Sequence, residues 1–334
     1  MQTTLYTDPA AFDLLADEWQ ALMARAVTVP IFMTVDYQKI WWQHLGHGQL
    51  CILAVRDSVS QRLLGLAPLF IADQEMRFVG CVDVSDYLDF LVDRDYCAEV
   101  YETLVNFMAS DLKVDWQSAY FCSLAHYSPT PDIMVELART KGWQAKAEIE
   151  EVCPVITLAG TWEDYLAGVD KKQRHEIRRK LRRAESSAEI RWYVIDNAVD
   201  LTDEVIDTFI TLHQKSTQDK EDFWHSAMES FFRALIRRFA EQGWLKLYFL
   251  ELDGKIASTL LCFDYQNEIL VYNSGFDPNQ FGHLSTGNII VSYSIQHAID
   301  LGRARYDFLR GDEVYKFRFG AVAEPVFRVR VEKK

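Results

Sequence analysis

Ser285, Thr286, Gly287 and Asn288 stand between a run of strand-forming residues and a run with helical spacing, a placement that suits an anion. Ile269 to Phe276 carries the β-branched and aromatic residues of a strand. Asp277-Pro278 then ends the ladder, because proline has no amide hydrogen to donate. From Asn288, the residues Ile289, Ile290, Tyr293, Ile295, Ala298 and Ile299 approximate a helical period up to Gly302, a C-terminal stop. A strand, a small-residue loop and a helix start together expose backbone amides at the positive end of a helix dipole, which is the chemistry of a pyrophosphate site. The plainer reading is that Ser285 or Thr286 caps the helix. Tyr306 to Leu309 predicts a short second strand, and Gly311-Asp312-Glu313 and Tyr315-Lys316-Phe317-Arg318-Phe319-Gly320 follow it.

A basic stretch precedes this region. Asp170 to Glu185 (DKKQRHEIRRKLRRAE) puts Lys171, Lys172, Arg174, Arg178, Arg179, Lys180, Arg182 and Arg183 on one predicted helix, with Ile177 and Leu181 as an i, i+4 docking stripe. Either this is a solvated helix whose charges answer the acidic first half, or it grips a polyanion such as nucleotide phosphates, a nucleotide-linked sugar or tRNA. His175 carries no catalytic reading, because the histidines are scattered without a visible Ser or Cys partner. In the first half, Ser85, Asp86, Tyr87 and Asp89 interrupt the apolar run CVDVSDYLDFLVD, which reads as a strand. A buried carboxylate is costly unless paired, so a cleft-facing position and an exposed edge are the two readings of this stretch.

The elements that must position these residues alternate in type. Asp8 to Ala26 predicts an amphipathic helix, and Val35 to Leu45 a second. Leu50 to Arg56 and Leu63 to Ile71 predict a hairpin, and Met76 to Val79 a short strand. Helix Tyr101 to Leu112, strand Asp115 to Ser123, helix Pro131 to Lys141 and the strand-rich run Ala145 to Leu158 complete the first half. The second half reads as strand Ile190 to Ile195, helices Asp203 to Lys215 and Phe223 to Gln242, and strands Trp244 to Leu252 and Lys255 to Phe263 joined by Asp253-Gly254. Between its helices, residues 216 to 222 and then Phe223-Trp224 read as a loop, either ordinary or a lip over a substrate channel. Val326 to Val331 closes the sheet.

A chain of 334 residues with 49% hydrophobic content predicts two globular domains rather than disorder. The net charge of −14 opposes non-specific attraction to nucleic acid. Residues 1 to 160 hold 10 Lys+Arg against 22 Asp+Glu, so the acidity lies in the first half. The six cysteines show no metal-site spacing and are expected to be reduced, mostly buried thiols. No apolar window reaches the ~18 residues of a membrane span, and the amino terminus lacks the basic start and apolar core of a signal peptide. A cytoplasmic location is expected; the oligomeric state stays open.

The ordered set from Tyr272 and Gly275-Phe276-Asp277-Pro278 through Ser285-Thr286-Gly287 to the Tyr-Lys-Phe-Arg-Phe-Gly segment resembles the GNAT acyltransferase superfamily. More closely, it resembles the branch with two GNAT-like folds in one chain, the CelD-like acetyltransferases named for cellulose biosynthesis, which have the Fem-type aminoacyl ligases as relatives. Gly65-Leu66-Ala67-Pro68-Leu69 and Ser85-Asp86-Tyr87 are similar to family features in the first half. The resemblance implies an α/β fold with mixed sheets, built as two tandem GNAT-like (acyl-CoA N-acyltransferase) folds over residues 1–158 and 159–334. It implies transfer from acetyl-CoA or another acyl-CoA, as co-substrate and without a metal, to an amine or hydroxyl of a small-molecule, saccharide or peptide acceptor.

On this resemblance Tyr272, Ser274, Gly275, Ser285, Thr286, Gly287 and Asn288 bind the donor, although the family's glycine-rich loop is reduced here to Gly287. Tyr315 is the candidate acid for the leaving thiolate, and Lys316 the charge near the oxyanion or the donor phosphates. Asp307 and Asp86 are alternative bases; Asp86, Tyr87, Trp224 and Arg318 are candidates for the acceptor site. Two other readings stand beside this one. One is a Fem-type ligase using charged tRNA, a class that often carries a long helical arm this sequence lacks. The other is a non-catalytic GNAT-like binding module.

Overall fold

The boundary between two compact units falls inside a strand, between Glu151 and Val152. The computed structural model describes residues 1–81, 84–158 and 160–333. Unit 1 runs from Met1 to Glu151 and regains the chain from Pro325 onward; unit 2 is Val152–Glu324. The sequence expectation set the division at 158/159.

Unit 1 opens with β1 (Gln2–Tyr6), which the sequence analysis did not foresee, and α1 (Ala11–Leu14) and α2 (Ala16–Met23), which divide the single helix expected there. Next come α3 (Val35–Leu45), β2 (Gln49–Arg56), β3 (Leu63–Ala72), β4 (Glu75–Phe78), β5 (Leu91–Val92), α4 (Cys97–Ser110), β6 (Ser118–Ala125), α5 (Thr130–Thr140) and β7 (Gln144–Thr157), which crosses into unit 2. β1 to β4 pair antiparallel in sequence order, and β4 lies parallel to β6. Apart from their ends, β2 and β3 are buried along their length, as strands covered on both faces must be.

Three expectations fail in this unit. Among the described residues of 81–93 only Leu91–Val92 is a strand, so the polar residues there sit on an irregular segment. Asp89 lies neither in a cleft nor on an edge. It is 1% exposed, and it accepts hydrogen bonds from Thr28 Oγ1 at 2.8 Å, from Thr130 Oγ1 and from the Phe90 amide at 2.9 Å. These donors offset the desolvation of the carboxyl, whose pKa burial pushes up. The cysteines are not all free thiols: Cys81 is bonded to Cys122, with a Cα–Cα separation of 6.2 Å.

Unit 2 continues with α6 (Trp162–Gly168), α7 (Lys171–Ser187), β8 (Ile190–Ile195), α8 (Asp203–Ser216), α9 (Gln218–Phe223) and α10 (Ser226–Glu241). Then follow β9 (Leu245–Leu252), β10 (Lys255–Tyr265), β11 (Glu268–Phe276), α11 (Pro278–Phe281), α12 (Thr286–Asp300), β12 (Arg305–Asp307) and α13 (Val314–Arg318), and β13 (Val322–Glu332) returns the chain to pair with β6 of unit 1. From the end of β7 the sheet order is β7, β12, β11, β10, β9, β8. Among the described residues of this unit, β11 and β12 are the parallel pair, and α12 is the crossover between them. The sheet is therefore mixed, in the α/β class expected.

Alternation along β10 assigns the two layers. Leu260 and Cys262 belong to the cluster built with α7 and α12, through Ile177, Ala184, Ile289 and Ile295. Phe263, one residue on, packs with Phe239 of α10 and Tyr272 of β11. Residues 218–222, expected as a loop, form α9 together with Phe223, which was expected to begin the next helix, and the first turn of α9 is capped by Thr217.

Gly275 is where α8 meets β11 most closely. A Cβ there would lie 2.5 Å from the His213 nitrogen and 2.6 Å from the Leu212 carbonyl carbon. Backbone on both sides cannot yield, so this glycine serves the packing of α8 on β11. Gly275→Ala is predicted to destabilise the protein by about 1–3 kcal/mol in a denaturant titration; an unchanged midpoint would mean that α8 does not press on β11.

Candidate functional site

Parallel pairing of β11 with β12 lasts three residues, ending at Leu270 opposite Asp307. Beyond that point the two chains take different partners. Phe308 and Gly311 donate their amides to the Pro154 and Val152 carbonyls, both at 3.0 Å, so this segment follows β7. β11 instead stays with β10 to Phe276, with a register shift that leaves Tyr272 as the extra residue. The result is a gap that opens from Leu270 toward the head of α12.

Sequence reasoning located the head of α12 but not its form. Ser285 occupies the N-cap position in the left-handed region, with φ 59°, and its side chain makes no capping hydrogen bond. The capping expectation therefore fails for Ser285. The Thr286 hydroxyl is buried with no hydrogen-bond partner among the described residues. A Cβ at Gly287 would meet nothing within 4 Å. An uncapped first turn, an orphaned hydroxyl and an open glycine fit an anionic ligand at this end of the helix.

A narrow crevice, of about 10 Å³, lies against that turn. α7 lines it with Gln173, Glu176 and Lys180, α12 with Asn288 and Ser292, and α13 with Arg318. Lys180 and Arg318 are its cations. Burial draws the Lys180 ammonium below its usual range, with Arg318 and Arg179 reinforcing the effect and Glu176 opposing it. The docking stripe of α7 is as expected: Ile177 and Ala184 are buried and Leu181 packs against the same cluster. Several outer arginines are answered locally, Arg178 by Glu163 and Arg179 by Glu176.

The other expected site residues fall into three places. Ser274 is at the gap, and its carbonyl accepts a hydrogen bond from Lys220 of α9. Tyr315 stands half-buried with its ring edge-on to Phe308, at 5.9 Å. Burial first, and then Glu313 and Cys262, push its phenol above the ordinary range. Tyr272 instead stacks on Phe232 of α10 at 5.5 Å, and Trp224 donates its indole hydrogen to His213 Nδ1 at 2.9 Å, so both are wall residues of an aromatic cluster. Asp86 and Tyr87 lie in unit 1 on the irregular segment after β4, half-buried and 8% exposed respectively.

Asp307 and Lys316 shape the far side of the gap. One Asp307 oxygen accepts the Leu309 amide at 2.7 Å, which turns the chain through the left-handed Leu309. The Lys316 ammonium, 3% exposed, donates to the carbonyls of Leu309, Arg310 and Gly311 at 3.3, 2.8 and 3.1 Å and pairs with Glu313 at 2.9 Å. It is fully engaged in holding this loop, not aimed at an oxyanion.

Sequence reasoning missed Lys220, His213 and Asn273. The Nδ1 of His213 accepts from Trp224, because an indole nitrogen can only donate. Its Nε2 therefore carries the hydrogen and donates to Asn273 Oδ1 at 3.0 Å. Burial, with the nearby Lys220 charge, takes this imidazole down to about 3 and keeps it neutral. Only Thr217, a cap ahead of Gln-Asp-Lys-Glu, signalled in sequence that a helix would hold Lys220 in place. Among the described residues, no group of three or more His, Cys, Asp or Glu is arranged to hold a metal ion, and no helix is long and apolar enough to cross a membrane.

Residues 171–317 match the family model for the acetyltransferase (GNAT) domain. No curated protein matches the chain by sequence. Among solved structures the chain is similar to FemX, at 11% identity and TM-score 0.68 over 98% of this chain and 97% of that one. It is similar to L-PGS from Bacillus licheniformis, at 9% identity and TM-score 0.59 over 94% and 90%. It is also similar to a tandem GNAT protein from the clavulanic acid biosynthesis pathway, at 12% identity and TM-score 0.51 over 98% of both chains. At these identities the likeness is one of fold.

Lys316→Met removes the ammonium and keeps most of the apolar stem, leaving three carbonyls without their donor. The expected outcome is a loss of about 3 kcal/mol of stability, read from chemical unfolding. Wild-type stability together with lost activity would return Lys316 to a catalytic role.

Proposed function

We propose, from the GNAT-type acetyltransferase domain that residues 171–317 form, that the protein transfers an acyl group from acyl-CoA, with acetyl-CoA as the first candidate, to a small-molecule, saccharide or peptide acceptor. The observation that carries this reading is the crevice at the uncapped head of α12, where Lys180 and Arg318 face the first two turns of the helix. Unpaired amides and two cations are the complement of a pyrophosphate. On this reading an extended thiol arm from that site would run between β11 and the 308–311 segment, where the two chains take different partners.

Transfer requires that the acceptor lose a proton, that the carbonyl oxygen be stabilised and that sulfur leave. Tyr315 stays protonated through the neutral range, because its phenol is held above the ordinary value. It therefore presents an O–H to the departing sulfur. Asp307, already committed to the turn at Leu309, is a poor base. The motif resemblance favours a CelD-like acceptor chemistry, and the cytoplasm is the setting in which acyl-CoA would be met.

A second reading is a Fem-type ligase that draws its acyl group from charged tRNA. The observation that favours it is the outward basic surface of α7, where His175, Arg178 and Arg182 line a shallow hollow. Calorimetry on the full chain with CoA and with uncharged tRNA separates the two donors.

Two variants test the first reading. Gly287→Val puts a branched side chain into the open space above the first turn of α12, so CoA affinity is expected to fall at least ~10-fold with the fold intact; an unchanged dissociation constant removes the donor from this site. Tyr315→Phe keeps the ring and removes the hydroxyl, so thiol release from acetyl-CoA is expected to slow by roughly 10²-fold while the Michaelis constant for donor stays within about twofold. Normal turnover would make Tyr315 a packing residue.

A further inference from the structure

We propose that the outer edge of β8 is a pairing surface for a second copy of this chain, whose β8 adds antiparallel across a two-fold axis at Trp192; the inference is independent of the donor reading. β8 is the last strand in the order of unit 2, and among the described residues it pairs with β9 alone. Its residues, Ile-Arg-Trp-Tyr-Val-Ile, are β-branched or aromatic except for Arg191. None of them is buried, whereas β9 beside it is buried along its length apart from Glu251. Edges are normally blunted by lysine, proline, a bulge or a covering element, because a row of unpaired amides and carbonyls templates another strand. β8 has neither lysine nor proline, and its register with β9 is unbroken from Ile190 to Ile195. Among the described residues, no side chain or loop bonds to its outer backbone.

Which groups face outward follows from one hydrogen bond. The Asp253 amide donates to the Glu189 carbonyl at 2.9 Å, so Glu189 turns its backbone toward the β9 side. Successive residues of an antiparallel strand bond to alternate sides, so Arg191, Tyr193 and Ile195 bond to β9, and Ile190, Trp192 and Val194 point their amides and carbonyls away from it. A second strand pairs here only if its own outward residues lie opposite these. With another β8, a two-fold axis at Trp192 sets Ile190 against Val194 and Trp192 against Trp192, each facing pair exchanging two hydrogen bonds. This pairing engages every outward residue of the strand. Centred on Tyr193 instead, it would set Ile190 opposite Asp196, beyond the end of β8.

The side chains agree with this register. Arg191, whose side chain is 70% exposed, lies 5.0 Å over its own Tyr193 ring and pairs with Glu251 at 3.4 Å. Across the axis it falls opposite Tyr193 of the second copy, at the closer, non-hydrogen-bonded spacing, so each guanidinium meets an aromatic ring in both copies. Elsewhere aliphatic faces aliphatic and aromatic faces aromatic. The rings are held in place from behind, Tyr193 stacked on Phe249 at 5.5 Å and Trp192 on Tyr293 of α12 at 5.7 Å. A chain that carries this strand therefore supplies its own complement.

Sedimentation equilibrium of the full chain from about 1 to about 100 μM, with hydrogen exchange at both ends of that range, tests the pairing. The expected result is a monomer–dimer equilibrium within the range, with added protection over residues 190–195 at high concentration. Val194→Pro removes one outward amide and leaves the β8–β9 ladder whole, because proline is tolerated where an edge N–H faces solvent. Its dimer affinity is expected to fall at least ~10-fold with an unchanged circular dichroism spectrum. Arg191→Glu, at an exposed position, sets a carboxylate beside Glu251 and opposite the tyrosine of the second copy, with a loss of at least ~10-fold expected. This variant decides the matter if the proline variant does not fold. A chain that stays monomeric at about 100 μM overturns the proposal and leaves the edge to a different extended segment. A dimer that forms without protecting β8, or with wild-type affinity in folded Val194→Pro or in Arg191→Glu, has its interface elsewhere and overturns it as well.

Discussion

The site depends on the parting of two parallel strands. β11 and β12 share three residues of register and then separate, because the chain after Asp307 takes its hydrogen bonds from β7 while β11 keeps those of β10. Backbone groups must be paired or solvated, so such a parting persists only where other groups enforce it. On one side the Asp307 carboxyl and the Lys316 ammonium fasten the 307–311 turn. On the other, Gly275 lets α8 lie close against β11, and Ser216 Oγ accepts the Phe276 amide at 2.9 Å. The gap is built from both edges.

The crossover helix ties this gap to the anion site. Parallel strands require a long connection, and α12 supplies it, so its positive end necessarily opens near the C-terminal end of β11. α7 lies alongside and contributes Lys180, while Arg318 comes from the helix that follows the turn. Cations therefore converge on the head of α12 from two separate elements. The aromatic cluster of Phe209, Trp224, Phe232 and Tyr272 is the solid backing against which α9 and Lys220 are set.

Much of the scaffold was legible in the residues. The periods of α3, β2, β3, α8 and β8, and the Asp253-Gly254 hairpin, are local signals, and their elements stand within a residue or two of expectation. The head of α12 was legible as a place, since Asp277-Pro278 and the Ser285-Thr286-Gly287 run mark it. What each side chain does there was not. Lys316, Asp307 and Gly275 read as chemistry, and their parts in the turn and the strand contact were not legible, because three carbonyls converging on one ammonium is a tertiary fact with no spacing in sequence. Lys220 sat in a stretch of seven polar residues and read as loop; its burial comes from α8, α10 and β11, which sequence separation hides. Asp89 is a similar case, since Thr28 and Thr130 lie 61 and 41 residues away.

The central claim is that one site in unit 2, at the head of α12 and beside β11 beyond Leu270, receives the donor. Hydrogen–deuterium exchange of the full chain with and without CoA tests it most directly. The account predicts added protection over residues 272–276 and 286–292 and over the Lys180 and Arg318 segments, with the amides of unit 1 unchanged. Protection confined to unit 1, or to the outer face of α7 without the head of α12, would contradict it.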